Sequence, residues 1–268
     1  MDAQRPPAAE RLSLDAAALT RALVKPGGLW HGITVVAETG STNTDLLGAA
    51  AAGAGEGAVL AAEAQTAARG RMGRRWLNPP RAALTFSVLL RPCGVPVRRR
   101  GWVSLLTGVA AVSALRRVAG VDAALKWPND VLAGERKLAG ILTEQSGDAI
   151  VAGIGINFSA LPPGPAAGRA TFVKAEASSP ISREGLLVAV LGELERAYAA
   201  WTADPDGCGL RERYMQLCAT IGRTVRVELP GGRMLVGTAE EVDVDGRLVV
   251  RAAGTLTAVS AGDVVHVR

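Results

Sequence analysis

Histidine is almost missing from this chain: two occur in 268 residues, His31 and His266. A Ser-His-Asp arrangement therefore has few candidates. Cysteine is scarce and odd in number, with Cys93, Cys208 and Cys218 and no CxxC spacing. That argues against a disulfide framework and against a zinc site, and it favours a reducing compartment. No Gly-Lys dipeptide occurs, so a phosphate-binding loop of the GxxxxGK[ST] type is excluded. Gly153-Ile154-Gly155 has Phe158 where a GxGxxG pattern needs glycine. Aromatic residues make up 4%, so the core must rest on Ala, Val and Leu, and platforms for stacking bases are sparse. The N-terminus lacks a basic start followed by an apolar run, and no stretch approaches ~18 uninterrupted apolar residues. Neither a secretory signal nor a membrane span is expected, and the cytoplasm is the natural location.

What is present is basic. The net charge is +5, and the distribution is uneven: Arg69, Arg71, Arg74 and Arg75 fall within seven residues, and Arg98, Arg99 and Arg100 run together. Such a balance suits an anionic partner, whether nucleic acid, a membrane surface or a small anion. Hydrophobic residues at 49% and charged residues at 21% describe an ordinary globular chain, long enough for one large domain or two unequal ones.

The pattern of apolar residues divides the chain. Residues 1–30 read as an N-terminal arm with a short helix over Asp15–Val24, stopped by Pro26-Gly27-Gly28. Strands are expected at Ile33–Ala37, Ala58–Glu63, Leu84–Leu90, Ala123–Trp127 and Ile150–Ile156. Val131–Leu132 and Leu138–Glu144 flank a Gly134-Glu135 turn as a hairpin. Helices are expected at Ser41–Ala52, Val103–Ala119 and Glu184–Trp201, with a loop over 159–182. Near residue 220 the texture changes to short alternating segments with turns at Pro230-Gly231-Gly232 and Asp245-Gly246. The expected organisation is a mixed α+β domain over 31–220 and a small SH3-like β-barrel over 221–268.

Four segments could carry chemistry. In Gln65–Trp76, Gly70 and Gly73 permit tight bends, and the interleaved guanidinium groups offer planar donors to phosphate or carboxylate; the plain alternative is a solvated basic loop. In Lys126-Trp127-Pro128-Asn129-Asp130, a lysine ending an apolar strand is costly to bury unless an anion neutralises it; otherwise it snorkels to water beside a simple turn. In Lys137–Glu144 and Gly153–Asn157, the small residues Ala139, Gly140, Gly153 and Gly155 allow close approach to a flat ligand, or merely tight strand packing. In Glu38–Asp45, Thr42 with Asp45 fits a capping box, and the spare hydroxyls at a helix start can also hold a polar ligand.

In this order and spacing the four segments resemble the biotin–protein ligase family, from about Thr34 to the C-terminus. The Arg-Gly-Arg-x-Gly-Arg loop and Lys-Trp-Pro-Asn-Asp carry the likeness; Lys-Leu-Ala-Gly-Ile-Leu and Gly-Ile-Gly-Ile-Asn agree with it. The resemblance implies a class II synthetase-like catalytic domain. It implies ATP-dependent activation of biotin to biotinyl-5'-AMP, then transfer to a lysine of a biotin carboxyl carrier protein or domain. By the same resemblance Ser41, Thr42, Asn43, Gln65, Gly140 and Gly155 border biotin, and Arg69, Gly70 and Arg71 form a loop closing over it. Lys126 meets the biotin carboxylate and the α-phosphate and, with Arg69 and Arg71, is catalytic. Arg74, Trp76, Asn129, Asn157, Arg226 and Arg268 face the nucleotide together with Arg71 and Lys126. Mg²⁺ is expected on the ATP phosphates, with no ion held by protein side chains alone. No winged helix-turn-helix precedes the resemblance, so it matches the monofunctional class, with no nucleic-acid or membrane partner expected.

One departure stands out. The family usually has glycine before the Arg-Gly-Arg loop, and here it is Ala68, whose methyl restricts the turn if the position needs positive φ. The alternatives are a lipoate–protein ligase or octanoyltransferase, whose signature carries a histidine that this chain lacks between His31 and His266, and a non-enzymatic nucleic-acid-binding protein.

Overall fold

The computed structural model describes residues 13–76, 78–161, 167–229, 234–260 and 262–267. In chain order the first layer runs α1 (Ala16–Leu23), β1 (Gly32–Val36), α2 (Thr42–Ala51), β2 (Ala58–Ala62), β3 (Ala83–Leu90), α3 (Trp102–Ala119), β4 (Ala123–Lys126), β5 (Asp130–Ala133), β6 (Arg136–Ser146) and β7 (Ala149–Asn157). Then follow α4 (Val173–Glu176), α5 (Arg183–Ala203) and α6 (Leu210–Leu217). The chain closes with β8 (Thr224–Glu228), β9 (Met234–Val242), β10 (Leu248–Ala252), β11 (Thr255–Val259) and β12 (Asp263–His266).

The seven strands of the larger sheet lie in the order β1-β2-β3-β7-β6-β5-β4. β1 and β2 pair in parallel and every other neighbour pairs antiparallel, so the sheet is mixed. The remaining five form an antiparallel sheet, β11-β10-β9-β8-β12. The fold is thus α+β with a small all-β unit at its end, and the expected strands and long helices are all present. Two short helices are not foreseen from the sequence pattern. α4 interrupts the stretch expected to be loop, and α6 lies on a segment too polar for an apolar periodicity to show.

Side chains alternate across each strand, and that alternation divides the sheet's two faces. On one face Leu84, Phe86 and Val88 of β3, Ala152, Ile154 and Ile156 of β7, and Ala139 and Ile141 of β6 join the main core. α3 packs against this face and α5 packs on α3. α3 is long and apolar enough to meet the length and composition of a membrane span, but most of its apolar stretch is buried inside the fold. The other face carries α2 over one end, where Leu46 meets Leu60, Leu89 and Val151. Further along, Thr85, Ser87, Gly140, Gly153 and Gly155 stand on that face, and the glycines let the Asn43 and Trp76 side chains come close to the sheet.

The helix starts follow local chemistry. Asp15 caps α1 by accepting from the backbone of Ala17 and Ala18. α2 is capped by Ser41, which accepts from Thr44. The capping box expected at Thr42 and Asp45 is therefore displaced by one residue. Thr42 turns its hydroxyl inward to Gln65 and Ser87, while Asp45 accepts from the Thr39 hydroxyl.

A buried ion pair ties α5 to the sheet. Arg183 donates to Glu63 Oε2 at 2.6 Å, with the two side chains only 6% and 7% exposed. Glu63 Oε1 also accepts from the backbone of Leu14. Removing one partner leaves an uncompensated buried charge, which costs about 3–5 kcal/mol. We expect Arg183→Ala to lower the unfolding free energy by about 3 kcal/mol in urea titration. A loss below about 1 kcal/mol would show that the pair does not anchor α5.

Candidate active site

A cavity opens over the small-residue face. Its floor is a row of cross-strand neighbours, Thr85, Gly155, Gly140 and Asp130, with a second row at Ser87, Gly153 and Leu142. One wall is the start of α2 with Ser41, Thr42 and Asn43; the roof is the arginine loop of Arg69, Gly70, Arg71, Arg74 and Arg75.

The floor is polar, and its hydrogen bonds interlock. Gln65 Oε1 accepts from the Thr42 backbone N–H at 2.8 Å and stands 3.1 Å from the Thr42 hydroxyl, whose one proton can go either to it or to Ser87. Thr42 and Ser87 hydroxyls lie 2.6 Å apart, and Ser87 donates to Asn43 Oδ1 at 2.6 Å. Asn43 Nδ2 donates to Glu144 Oε2 at 2.8 Å and to the carbonyl of Leu142 at 3.1 Å. This chain runs under the cavity through groups that are mostly buried, so their geometry is fixed before any ligand arrives. Gly153 is required here: a Cβ at that position would stand 2.1 Å from Asn43 Oδ1.

The other half of the cavity is aromatic and cationic. The Trp76 indole lies against Gly155 and Gly140; a Cβ on Gly155 would meet the ring at 2.6 Å. Lys137 Nζ lies 5.6 Å from the ring centroid and pairs with Asp130 at 2.6 Å. Arg71 reaches Asn129 Oδ1 at 3.5 Å, and Asn129 donates to the Ile141 carbonyl at 2.9 Å. Among the lining residues, four arginines and one lysine face a single carboxylate, Asp130, which Lys137 already holds. The cavity therefore attracts anions.

The arginine loop is a small hairpin. Arg69 and Arg75 bridge, Gly70 N–H donates to the Arg74 carbonyl at 2.6 Å and Trp76 N–H to that of Ala68 at 3.0 Å. Met72 (φ 56) and Gly73 (φ 70) take the left-handed conformation at its tip. Ala68 is buried and does not, so its methyl imposes no backbone strain at the place where the family usually has glycine.

Twelve of the residues expected from the sequence line the cavity: Ser41, Thr42, Asn43, Gln65, Arg69, Gly70, Arg71, Arg74, Trp76, Asn129, Gly140 and Gly155. Three others do not line it. Lys126 ends β4 opposite Asp130, in the same cross-strand row as Gly140 and Gly155, but at the sheet's far edge. Asn157 donates its amide to the carbonyls of Lys137 and Thr171, fastening β7 to the segment before α4. Arg226 is exposed on β8, and Arg268 lies outside the described residues. Ser87, Glu144, Asp130 and Lys137 belong to the site but are not marked as site residues by the sequence. Lys137 had a signal, since it opens the Lys-Leu-Ala-Gly-Ile-Leu segment; Ser87 had none, being one polar residue in an apolar strand.

Residues 36–159 match the model of the biotin/lipoate A/B protein ligase family, and residues 220–267 match that of the biotin protein ligase C-terminal domain. The chain is 43% identical to the biotin–[acetyl-CoA-carboxylase] ligase of Mycobacterium tuberculosis, covering 100% of this chain and 98% of that protein. The chain belongs to the biotin protein ligase family. The like-named ligase of Paracoccus denitrificans is 32% identical, over 86% of this chain and 98% of its own length. Among solved structures, the biotin protein ligase of Aquifex aeolicus in complex with biotin and ATP is 25% identical, with a TM-score of 0.76, covering 88% of this chain and 98% of that one. The Leishmania major biotin protein ligase with biotinyl-5-AMP is 26% identical, with a TM-score of 0.63, covering 85% and 98%.

The contact between Gly155 and Trp76 can be probed directly. Gly155→Ala should push the indole off the floor and shift Trp76 emission to the red, isolated by subtracting the Trp76→Phe spectrum. Unchanged emission from a folded Gly155→Ala protein would show that the ring does not rest there.

Proposed function

We propose that the protein is a biotin–protein ligase that makes biotinyl-5'-AMP from biotin and ATP and passes the biotinyl group to a lysine of a carrier domain of acetyl-CoA carboxylase or a related carboxylase. The carrying observation is the cavity itself: a small-residue floor with an interlocked polar chain, under a loop whose arginines outnumber the carboxylates. We place the enzyme in the cytoplasm, with residues 31–220 as its catalytic unit and 221–268 as its β domain.

The fused ureido ring of biotin suits the polar end, where Ser41, Thr42, Asn43 and Gln65 present preset donors and acceptors. The valeryl chain runs on from there past the Trp76 indole, which itself rests on Gly140 and Gly155. Its carboxylate then points toward the arginine loop. A biotin carboxylate oxygen attacks the α-phosphorus of ATP, the bond from that phosphorus to the bridging oxygen breaks, and pyrophosphate leaves. The nucleophile is already an anion, so this step needs alignment and neutralised charge rather than a base. Arg69, Arg71 and Lys126 supply that charge. Arg74, Trp76 and Asn129, which line the cavity, serve the nucleotide; for Arg226 and Arg268 the same role rests on the family resemblance alone. Mg²⁺ would enter with ATP and offset the charge of its phosphates. In the second step the acceptor's amine attacks the carbonyl carbon and AMP leaves. The mixed anhydride is labile to water, which suits a hairpin that closes over it.

Incubation with biotin, Mg²⁺ and α-labelled ATP, without acceptor, should yield biotinyl-AMP. Lys126→Ala and Arg69→Ala should each lower its rate by about 100-fold or more, the usual cost of one transition-state donor. No adenylate from folded protein at saturating biotin, with lipoate or octanoate activated instead, would move the substrate to the lipoate side of the family.

A further inference from the structure

We propose that His266 is a positioning residue for Lys126: its imidazole, held between Thr220 and Arg223, fixes the strand end from which Lys126 works. The inference deepens the ligase reading above and rests on it.

The two histidines look idle in the sequence, yet His266 stands at a junction. Thr220 is fully buried just before β8, and its hydroxyl accepts from the backbone N–H of Trp127 at 3.1 Å. The same hydroxyl lies 3.1 Å from His266 Nε2. The last strand of the β domain is thus connected through one hydroxyl to the residue next to Lys126. Segment 218–220 reinforces the link: Cys218 bridges Leu125 in parallel, and Ala219 N–H donates to the Leu125 carbonyl at 2.8 Å. On its other nitrogen His266 meets Arg223 Nη1 at 3.4 Å, and Arg223 is paired with Glu135 at 2.8 Å.

The charged groups acting on the imidazole come from three elements: Lys126 ends β4, Arg223 leads into β8, and Glu135 sits in the β5–β6 turn. Burial first, then the Lys126 and Arg223 cations, push its pKa below the ordinary 6.5, against the opposing pull of Glu135. At neutral pH the ring is therefore uncharged and can share a proton with Thr220. A protonated ring would add a third positive charge beside two others and repel Lys126, the cation that adenylation needs. The sign follows: the support is complete above the lowered pKa and is lost as pH falls through it.

The experiment measures kcat/KM for ATP in acceptor-free biotinyl-AMP formation from about pH 5 to 8, on the full chain. The wild type must first make adenylate; if it does not, the ligase reading fails rather than this one. Titration of ATP's own phosphates is common to all variants and cancels in their ratios. His266→Gln keeps a neutral polar group that cannot titrate. It should hold neutral-pH activity within about threefold of wild type and lack the extra acid-side loss, so that the wild-type to Gln ratio falls on acidification. His266→Lys, folded by its melting temperature, should be down about tenfold or more at every pH, as a fixed cation in that place demands. A ratio that stays constant across the range, or a folded His266→Lys enzyme with wild-type activity, overturns the proposal.

Discussion

The structure depends on how closely backbone and ligand can approach at the middle of the seven-stranded sheet. β7 is buried along its whole length, and its alternate residues divide into Ile150, Ile154 and Ile156 on the helix side and Gly153 and Gly155 on the other. The first set is large because α3 must be covered; the second is small because Asn43 and Trp76 occupy the space a Cβ would take. One strand therefore builds the core with one face and the site with the other. Any substitution that enlarges the second set acts on the site before it acts on stability, since the core face is untouched.

Charge is arranged with the same economy. The carboxylates near the site are mostly engaged: Asp130 by Lys137, Glu144 by Asn43. The arginine loop holds its guanidinium groups in the roof of the cavity, where an entering anion meets them. A site short of histidine is consistent with chemistry whose first nucleophile is born ionised, because cations do more for two meeting anions than a proton carrier does.

Much of this was legible in the sequence, for identifiable reasons. Strands β2 and β7 announce themselves because burial on both faces makes them almost continuously apolar, and β3 does so despite Thr85 and Ser87. The arginine loop and Lys-Trp-Pro-Asn-Asp are visible because their residues are unusual where they stand. α6 was hidden because its sequence, Leu210–Leu217, is polar on most faces and buries only Leu210 and Tyr214. The cap of α2 was misplaced by one residue because Ser41 and Thr42 are chemically equivalent until Gln65 and Ser87, 23 and 45 residues away, claim the Thr42 hydroxyl. The Asp130–Lys137 pair belongs to the same class: it is formed across a strand register that a linear reading does not contain.

The junction with the β domain shows why such register matters to function. Two indoles reach across it: Trp102 donates to the Val244 carbonyl at 2.9 Å, and Trp127 to that of Gly246 at 3.1 Å. Arg211 adds a bond to Val242 at 2.7 Å and an ion pair with Glu241. Both indoles are almost fully buried, so each bond leaves a satisfied donor inside an apolar contact, which fixes direction as well as distance. Trp127 follows Lys126 directly, so the small sheet is fastened to the strand that carries the family's lysine. Loosening the β domain would therefore move that lysine while leaving every lining residue of the cavity but Gly262 in the catalytic domain.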